Sequence, residues 1–439
     1  MVLEKAIEKT LLPPTPPSSD RLTRSPGPRR RTGNSSPASD VARTPSSGLG
    51  RGYRSYYRLP FLEAALPPPS SSSPLRSLNA VDCELAELLK GFTPASKERD
   101  RRLQVLMDLE LTLSPIDLHV EVFGSTMTGL TTMDSDLDCV VIRKEKDDAR
   151  AGRSGTLKRT PPGQLEGFLF SSSMMAKRNL AFSVRDVANE IRRTRKFSKV
   201  IPIGHARVPI VKCHHCNTGL NVDLSLTEDG LISSYFLCAE YMRPENEMAR
   251  ALTVLIKTVI ACNDLGDPSK GGLGSFPIAL MVLFFLQTEV KERYPATLHN
   301  SLAVLFSGFI KYYGATFDFV RLGIDYVRRK SFVKGHAHEL YIKNPIYPEQ
   351  NCAKAAHLYA TKVVPFFKNT ADELCPLLDD NIPQYKIDTI LSRVFRKAIN
   401  YYGGWTQLQE TANKYKGAPQ HSWDLRANIY TGSLVENLL

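Results

Sequence analysis

The segment that most constrains this chain is Val120–Ile142, which reads VEVFGSTMTGLTTMDSDLDCVVI. Val120–Phe123 and Leu137–Ile142 are apolar, β-branched runs typical of strands, and a turn rich in Gly, Ser and Thr separates them. Side chains alternate between the two faces of a strand, so Asp136 and Asp138 are predicted to share one face. Two adjacent carboxylates repel each other unless a cation neutralises them. The sequence therefore predicts a charged site where the second strand begins.

The neighbouring sequence indicates what such a site binds. A hard divalent ion with oxygen ligands is the usual partner of paired carboxylates, and the Gly124-Ser125 turn offers backbone N–H groups and a hydroxyl to a phosphate. Asp223 supplies a third carboxylate within LNVDLSL, an apolar run where a charge is costly unless it is paired or metal-bound. The alternative is that these Asp residues simply face water. Metal carboxylates beside a phosphate site suit nucleotidyl transfer, so Asp136, Asp138 and Asp223 are the predicted catalytic and metal-ligating residues.

These motifs resemble those of the DNA-polymerase-β-like nucleotidyltransferases, in which a G-S turn precedes S-D-L-D and a later single Asp. Ala206–Lys212 resembles the palm of the non-canonical poly(A) polymerases, Lys270–Gln287 the central-domain helix of their topoisomerase-related-function type, and Leu340–Lys354 their nucleotide-recognition segment. The similarity runs from about Ala80 to about Ala398. It implies an α/β nucleotidyltransferase palm, with a mixed sheet and helices, joined to a mainly helical central domain that contains the PAP-associated segment.

Composition and the resemblance together predict how the chain is organised. The predicted units are a disordered basic Pro/Ser-rich tail at 1–76, helices packing on the central domain at 77–117, the palm at 118–229 with an insertion at about 143–173, the helical domain at 230–400, and a C-terminal extension at 401–439. The formal net charge is +12, and residues 1–60 hold 11 Lys and Arg against 4 Asp and Glu. Arg29–Arg31 is a candidate patch for nucleic acid or a nuclear-import receptor, and a solvated tail without a partner is the alternative.

The resemblance also implies roles around the nucleotide. Ser233 could reach the ribose, or it could cap a helix. Lys257 matches a family Lys that reaches the triphosphate, and the alternative is a Lys whose stem lies along an apolar helix. Many uridylyl-transferring relatives have a second Lys where this chain has Ala261. Ser275 would contact the phosphates, and Phe276 would stack on the base through its ring face.

The segment Gln350-Asn351-Cys352-Ala353-Lys354 is predicted to select the base. Uridylyl transferases of the fission-yeast type have H-N-V-G-R there, with His before the Asn. A carboxamide donates and accepts at adjacent atoms and can match the adenine edge, so Gln350 favours ATP over UTP. Asn351 and Lys354 are the other predicted nucleotide contacts, although Lys lacks the fork of the family's Arg. Kinetoplastid uridylyl transferases lack the His, so UTP stays an alternative.

The predicted activity is template-independent addition of AMP from ATP to RNA 3′ ends, with two Mg²⁺ or Mn²⁺ ions. A terminal uridylyltransferase is the first alternative, and an inactive scaffold or RNA-binding subunit is the second, which the intact Asp triad argues against. Four basic residues are predicted to contact RNA phosphates, or else form a solvated helix face: Arg192, Arg193, Arg195 and Lys196. The resemblance further implies a zinc-knuckle RNA-binding partner and an exosome-linked helicase.

Compartment and thiol chemistry are predicted from weaker patterns. The longest apolar run, Phe276–Leu286, is too short to span a bilayer, and MVLEKAIEKTLL has neither a signal-peptide nor a transit-peptide pattern. Eight scattered cysteines predict free thiols in a reducing compartment. The nucleus is the expected location, the cytoplasm the alternative, and mitochondria are less expected. Cys213-His214-His215-Cys216 resembles half of a zinc site, but no matching second pair follows, and a plain loop is expected there.

Overall fold

The structure is a computed structural model that describes residues 76–93, 96–132, 135–143, 182–206, 208–335, 339–379 and 381–414. The predicted N-terminal tail, nearly all of the predicted insertion and the end of the C-terminal extension lie outside the described residues. Across the described ranges, none of the helices combines the length and the apolar character needed to cross a membrane.

The described residues form a palm and a mainly helical domain, as expected from the sequence. Helix α1 (Arg76–Phe92) comes before the palm. The palm contains, in chain order, α2 (Ser96–Leu113), β1 (Leu118–Val122), α3 (Gly124–Thr128), β2 (Leu137–Arg143), α4 (Val184–Arg193), β3 (Phe197–Ile203), β4 (Ile210–His215) and β5 (Asn221–Ser225). The helical domain contains α5 (Asp229–Tyr241), α6 (Ala249–Cys262), α7 (Ser275–Phe285), α8 (Leu302–Lys311), β6 (Leu322–Asp325), β7 (Lys330–Val333), α9 (Val364–Leu374), α10 (Gln384–Val394), α11 (Arg396–Tyr401) and α12 (Trp405–Lys414).

The palm is built on a five-stranded mixed sheet in the order β1-β2-β5-β4-β3. Its strands pair antiparallel except for β2 and β5, which are parallel. One face of the sheet is apolar because alternate residues of β2 and β5, among them Leu137, Cys139, Val222 and Leu224, are buried in the palm core. The residues between them therefore point to the opposite face.

The two N-terminal helices belong to different cores, which corrects the expectation that residues 77–117 pack together on the helical domain. Helix α1 does so, with Leu85 and Phe92 buried in that domain's core. Helix α2 instead buries Val105 and Leu109 against the apolar face of the palm sheet. The reason is that α2 leads through a short turn into β1 and stays beside the strand that it precedes.

Two features of the helical domain were not predicted from the sequence. The β6–β7 hairpin was not predicted, since its residues are half polar and give no clear strand period. Helix α7 is apolar on all sides and buried from Pro277 to Phe285, and it continues into a π-helical turn at Leu286–Val290. The last described helix, α12, packs on α1, where Leu408 contacts Gly91.

The Cys-His-His-Cys cluster lies mostly in a strand, which corrects the expectation of a loop. Cys213, His214 and His215 end β4, and only Cys216 enters the following turn. Buried His215 has its Nε2 atom 3.0 Å from Oδ2 of Asp108 on α2. Cys213 is buried and Cys216 is exposed, so the two thiols face different surroundings.

Candidate active site

Three carboxylates lie on the open face of the palm sheet, opposite its apolar core. Asp138 on β2 and Asp223 on β5 are directly paired across the parallel strands, and Asp136 immediately precedes β2. Burial raises the pKa of Asp138 to about 7. The negative charges of Asp223 and Asp136 raise this pKa further, whereas the positive charges of Lys257 and Arg102 lower it. Burial also raises the pKa of Asp223, although its bond to Lys212 opposes the rise. The local charge balance therefore favours an added cation.

Two of these carboxylates are turned toward protein partners. Nζ of Lys212 lies 2.7 Å from Oδ2 of Asp223, and Asn221 donates from Nδ2 to Oδ1 of Asp136 at 3.2 Å. In the described parts of the chain, no three His, Cys, Asp or Glu side chains are arranged to hold a metal ion. The all-oxygen donor set fits Mg²⁺ or Mn²⁺ chemically, and each of these two contacts occupies only one oxygen of its carboxylate.

The Gly-Ser turn lies against Asp138 and admits no side chain at its first position. Gly124 has φ +67°, and a Cβ atom there would lie 2.3 Å from Oδ2 of Asp138. Phe123 N–H donates to the Asp138 carbonyl at 3.0 Å, which joins the turn to β2. The Gly124 N–H donates to Oγ of Ser234 at 2.8 Å, so as placed this N–H is not directed at a phosphate. The phosphate role of Gly124 and Ser125 stays a prediction.

The helix after the palm contacts the turn through Ser234 rather than through Ser233. Ser233 donates to the Asp229 carbonyl one turn back, at 2.8 Å. Ser234 accepts from Gly124 and donates to the Gly230 carbonyl, also at 2.8 Å. Sequence reasoning missed Ser234, although helical spacing places it on the same face as the buried Leu231.

Lys257 reaches from α6 of the helical domain into the palm. Its Nζ donates to the Leu130 carbonyl at 3.0 Å and lies 3.4 Å from Oγ of Ser135. Its charge also acts on Asp138. The ammonium group is therefore held next to the carboxylates and the Gly-Ser turn, whereas a stem lying along an apolar helix would have directed it to water. Contact with a triphosphate stays a prediction.

Residues on either side of the predicted base-reading segment, Gln350–Lys354, contact two other parts of the helical domain. After the segment, Leu358 N–H donates to the Gly271 carbonyl at 2.9 Å, in the loop that Ser275 and the partly buried Phe276 follow. Before the segment, Tyr347 Oη donates to Oδ1 of Asp229 at 3.3 Å. This second contact joins the flanking chain to α5, the helix that contains Ser233 and Ser234.

Within that segment, Asn351 shapes the main chain. Its Oδ1 accepts from Ile342 N–H at 3.0 Å and from Ala353 N–H at 2.9 Å, and its Nδ2 donates to the Leu340 carbonyl at 3.0 Å. These three hydrogen bonds account for an amide side chain at position 351 without any contact to a nucleotide base. Gln350 is partly buried and Lys354 is exposed, and the nucleotide contacts of all three residues remain predictions.

The predicted RNA contacts lie apart from the carboxylates, on the helix-covered side and edge of the sheet. Arg193 pairs with Glu190 at 2.6 Å, and Arg192 donates to the Val200 carbonyl at 2.7 Å. Lys196 pairs with Asp108 at 2.5 Å, so its charge is already neutralised. Any RNA path from these residues to the active site would have to pass around edge strand β3, and their role stays a prediction.

Comparison with known proteins identifies the palm. Residues 81–241 match the family model of the central palm domain of mitochondrial-like poly(A) RNA polymerase. Human Terminal uridylyltransferase 7 is 27% identical over 213 residues, 48% of this chain and 12% of that protein. Poly(A) RNA polymerase protein 2 of Saccharomyces cerevisiae is 27% identical over 250 residues, 55% of this chain and 37% of that protein. This chain therefore spans well under half the length of either relative.

The solved structures agree on the fold. The polymerase core of TRAMP, an RNA surveillance complex, superposes with a TM-score of 0.53 at 19% identity, over 72% of this chain and 93% of that one. The match extends beyond the palm into the helical domain, since it covers far more than residues 81–241. The fold of the palm and helical domain is thus similar to that of the TRAMP polymerase core.

Proposed function

Because this chain belongs to the DNA-polymerase-β-like nucleotidyltransferase superfamily, we propose that it transfers nucleotidyl groups from a nucleoside triphosphate to RNA 3′ ends. The preferred donor in this proposal is ATP. The observation that supports it most strongly is the convergence of Asp136, Asp138 and Asp223 on one open face beside Gly124. A catalytically inactive scaffold would have no reason to keep three mutually repelling carboxylates together, because each raises the energy of the others.

The three carboxylates are the groups that would hold the divalent ions. Asp136 and Asp138 lie two residues apart in the chain and would hold both ions, while Asp223 on the neighbouring strand would hold one of them. When bound, such ions would lower the pKa of the attacking hydroxyl and stabilise the departing pyrophosphate. Asn221 and Lys212 orient Asp136 and Asp223 through hydrogen bonds.

The proposed reaction breaks a phosphoanhydride bond of the triphosphate and forms a phosphodiester bond at the RNA 3′ end. The RNA 3′-oxygen forms a bond to the α-phosphorus of the triphosphate, and the bond from that phosphorus to the pyrophosphate oxygen breaks. The hydroxyl proton would pass to the Asp223 carboxylate, whose Oδ2 accepts a hydrogen bond from Lys212 in this structure. Lys257, held beside Asp138, would bind the triphosphate, and Phe276 would stack on the base.

The choice of ATP rests on Gln350, whose carboxamide can match the adenine edge. Similarity to Terminal uridylyltransferase 7 supports UTP as the second candidate donor. The fold match to the polymerase core of a surveillance complex supports a further proposal, that an RNA-binding protein partner supplies substrate selection. A zinc-knuckle protein, an exosome-linked helicase and a nuclear location are parts of the same proposal.

A primer-extension assay tests the proposal. The purified chain is incubated with a short RNA, Mg²⁺ or Mn²⁺, and each of the four nucleoside triphosphates separately. Extension with ATP in the wild type, and none in Asp138→Asn, is the expected result. The Asn variant should remain folded, since it removes one of three repelling charges. A folded wild type that extends RNA with none of the four nucleotides would overturn the proposed function, and extension with UTP alone would replace ATP by the second candidate.

A further inference from the structure

One buried cation lies directly beneath the catalytic turn. Arg102 on α2 is only 2% exposed and is the largest fully buried side chain of the described residues. Its Nη1 atom donates to Oγ1 of Thr126 at 3.0 Å and to the Asp136 carbonyl at 3.2 Å. Its Nη2 atom donates to the Ser135 carbonyl at 2.5 Å. A single guanidinium group therefore joins helix α3, which follows Gly124, to the residues that enter β2.

This arrangement is not optimised for stability alone. A buried charge is costly unless it is well paired, and the partner of Arg102 is Glu98, whose Oε1 atom lies 3.3 Å from Nη2. Glu98 is shared with Arg101, whose Nη1 lies 2.5 Å from Oε2. Both Nε of Arg102 and Oε1 of Glu98 are buried without a hydrogen-bond partner. An apolar residue would avoid these costs, so the guanidinium is retained for what it contacts.

Building on the proposed function, we infer that Arg102 is a positioning residue that sets the distance between the Gly124-Ser125 turn and the catalytic carboxylates. The planar fork of Arg presents several N–H donors in fixed directions, so it can hold two separate main-chain segments and a hydroxyl at once. A Lys ammonium at the same place keeps the charge but cannot span these acceptors. A displacement of about 1 Å in a catalytic group can reduce the rate by about 100-fold.

The test compares Arg102→Lys with Arg101→Met. Arg101 is the adjacent residue and shares Glu98, but its other bond runs to the Thr218 carbonyl, with Nε at 3.1 Å, and it does not touch the turn. For Arg102→Lys we expect kcat in primer extension to fall at least about tenfold, with the KM for ATP changing by less than about threefold, because the defect is in geometry. Arg101→Met should keep kcat within about threefold of wild type.

A second readout does not require catalysis. Binding of Mn²⁺ is measured by electron paramagnetic resonance and binding of ATP by calorimetry, with thermal unfolding recorded for each variant. Arg102→Lys should remain cooperatively folded yet bind Mn²⁺ at least about fivefold more weakly, since Asp136 is displaced. The inference would be overturned if Arg102→Lys kept the kcat and the Mn²⁺ affinity of the wild type. It would also be overturned if the losses of activity and Mn²⁺ binding were no larger than the fraction of the variant that is unfolded. If the wild type extends no RNA, the proposed function fails, and the Mn²⁺ and ATP affinities still decide the role of Arg102.

Discussion

Replacing Gly124 by Ala should separate activity from stability. The new Cβ would lie 2.3 Å from Oδ2 of Asp138, while ordinary contact begins near 3.4 Å, so the carboxylate must move by about 1 Å. A shift of that size in a catalytic group lowers the rate by about 100-fold. The stability loss should be small, about 1–2 kcal/mol, since it reflects the left-handed backbone at φ +67° and Asp138 can rotate away.

Gly129→Ala is the matched control for this prediction. Gly129 ends the same helix with a similar φ of +73°, but a Cβ there would meet the flexible Arg250 side chain at 3.2 Å. Both variants should lose a similar free energy of unfolding in urea titrations, whereas only Gly124→Ala should lose primer extension. Equal activity of the two variants would refute the claim that contact with Asp138 is what requires glycine at position 124.

Three other substitutions test separate parts of the structure. Lys257→Met should raise the KM for ATP by at least about tenfold with little change in melting temperature, because the ammonium is held beside the carboxylates; an unchanged KM with a large loss of stability would instead assign Lys257 to packing. Gln350→His should reduce the preference for ATP over UTP, which a good bidentate contact sets at about 1–3 kcal/mol; an unmoved preference, measured by competition, would show that another group selects the base. Burial raises the pKa of Asp82 from 3.8 to about 6, so this group alone should make the free energy of unfolding fall by about 3 kcal/mol as pH rises through that interval. Asp82→Asn, which keeps an acceptor for Ser301 and Ala303, should remove this fall, and a pH dependence identical to wild type would contradict the assignment.

Local pattern was enough to predict the carboxylate face. In LDCVVI and NVDLS a single Asp stands between two buried apolar residues, so β2 and β5 direct Asp138 and Asp223 away from the palm core. The strand order is not encoded in either segment. The parallel pairing that brings the two carboxylates together depends on the whole sheet. Nothing in the sequence of either strand indicates which strand it pairs with.

The contacts that orient these carboxylates depend on tertiary structure. Lys212 and Asn221 were not singled out because strand pairing alone places them beside the carboxylates. The β4–β5 register brings Lys212 to Asp223, and the β2–β5 pairing brings Asn221 to Asp136. Arg102 lies in a helix rich in charged residues, where an Arg is normally expected on the surface. Its burial follows from α2 packing on the palm, the point at which the predicted domain assignment was wrong.

We propose that Asp136, Asp138 and Asp223 catalyse the transfer of adenylate from ATP to RNA 3′ ends. The most direct measurement is a competition in which the purified chain receives a short RNA, Mg²⁺ and equal concentrations of ATP and UTP, with the added nucleotides identified by mass spectrometry and the released pyrophosphate quantified. The account predicts RNA extended mainly by A residues, one pyrophosphate for each residue added, and no product with Asp223→Asn. Products extended by U residues would contradict the assigned donor, and undiminished extension by Asp223→Asn would contradict the assigned site.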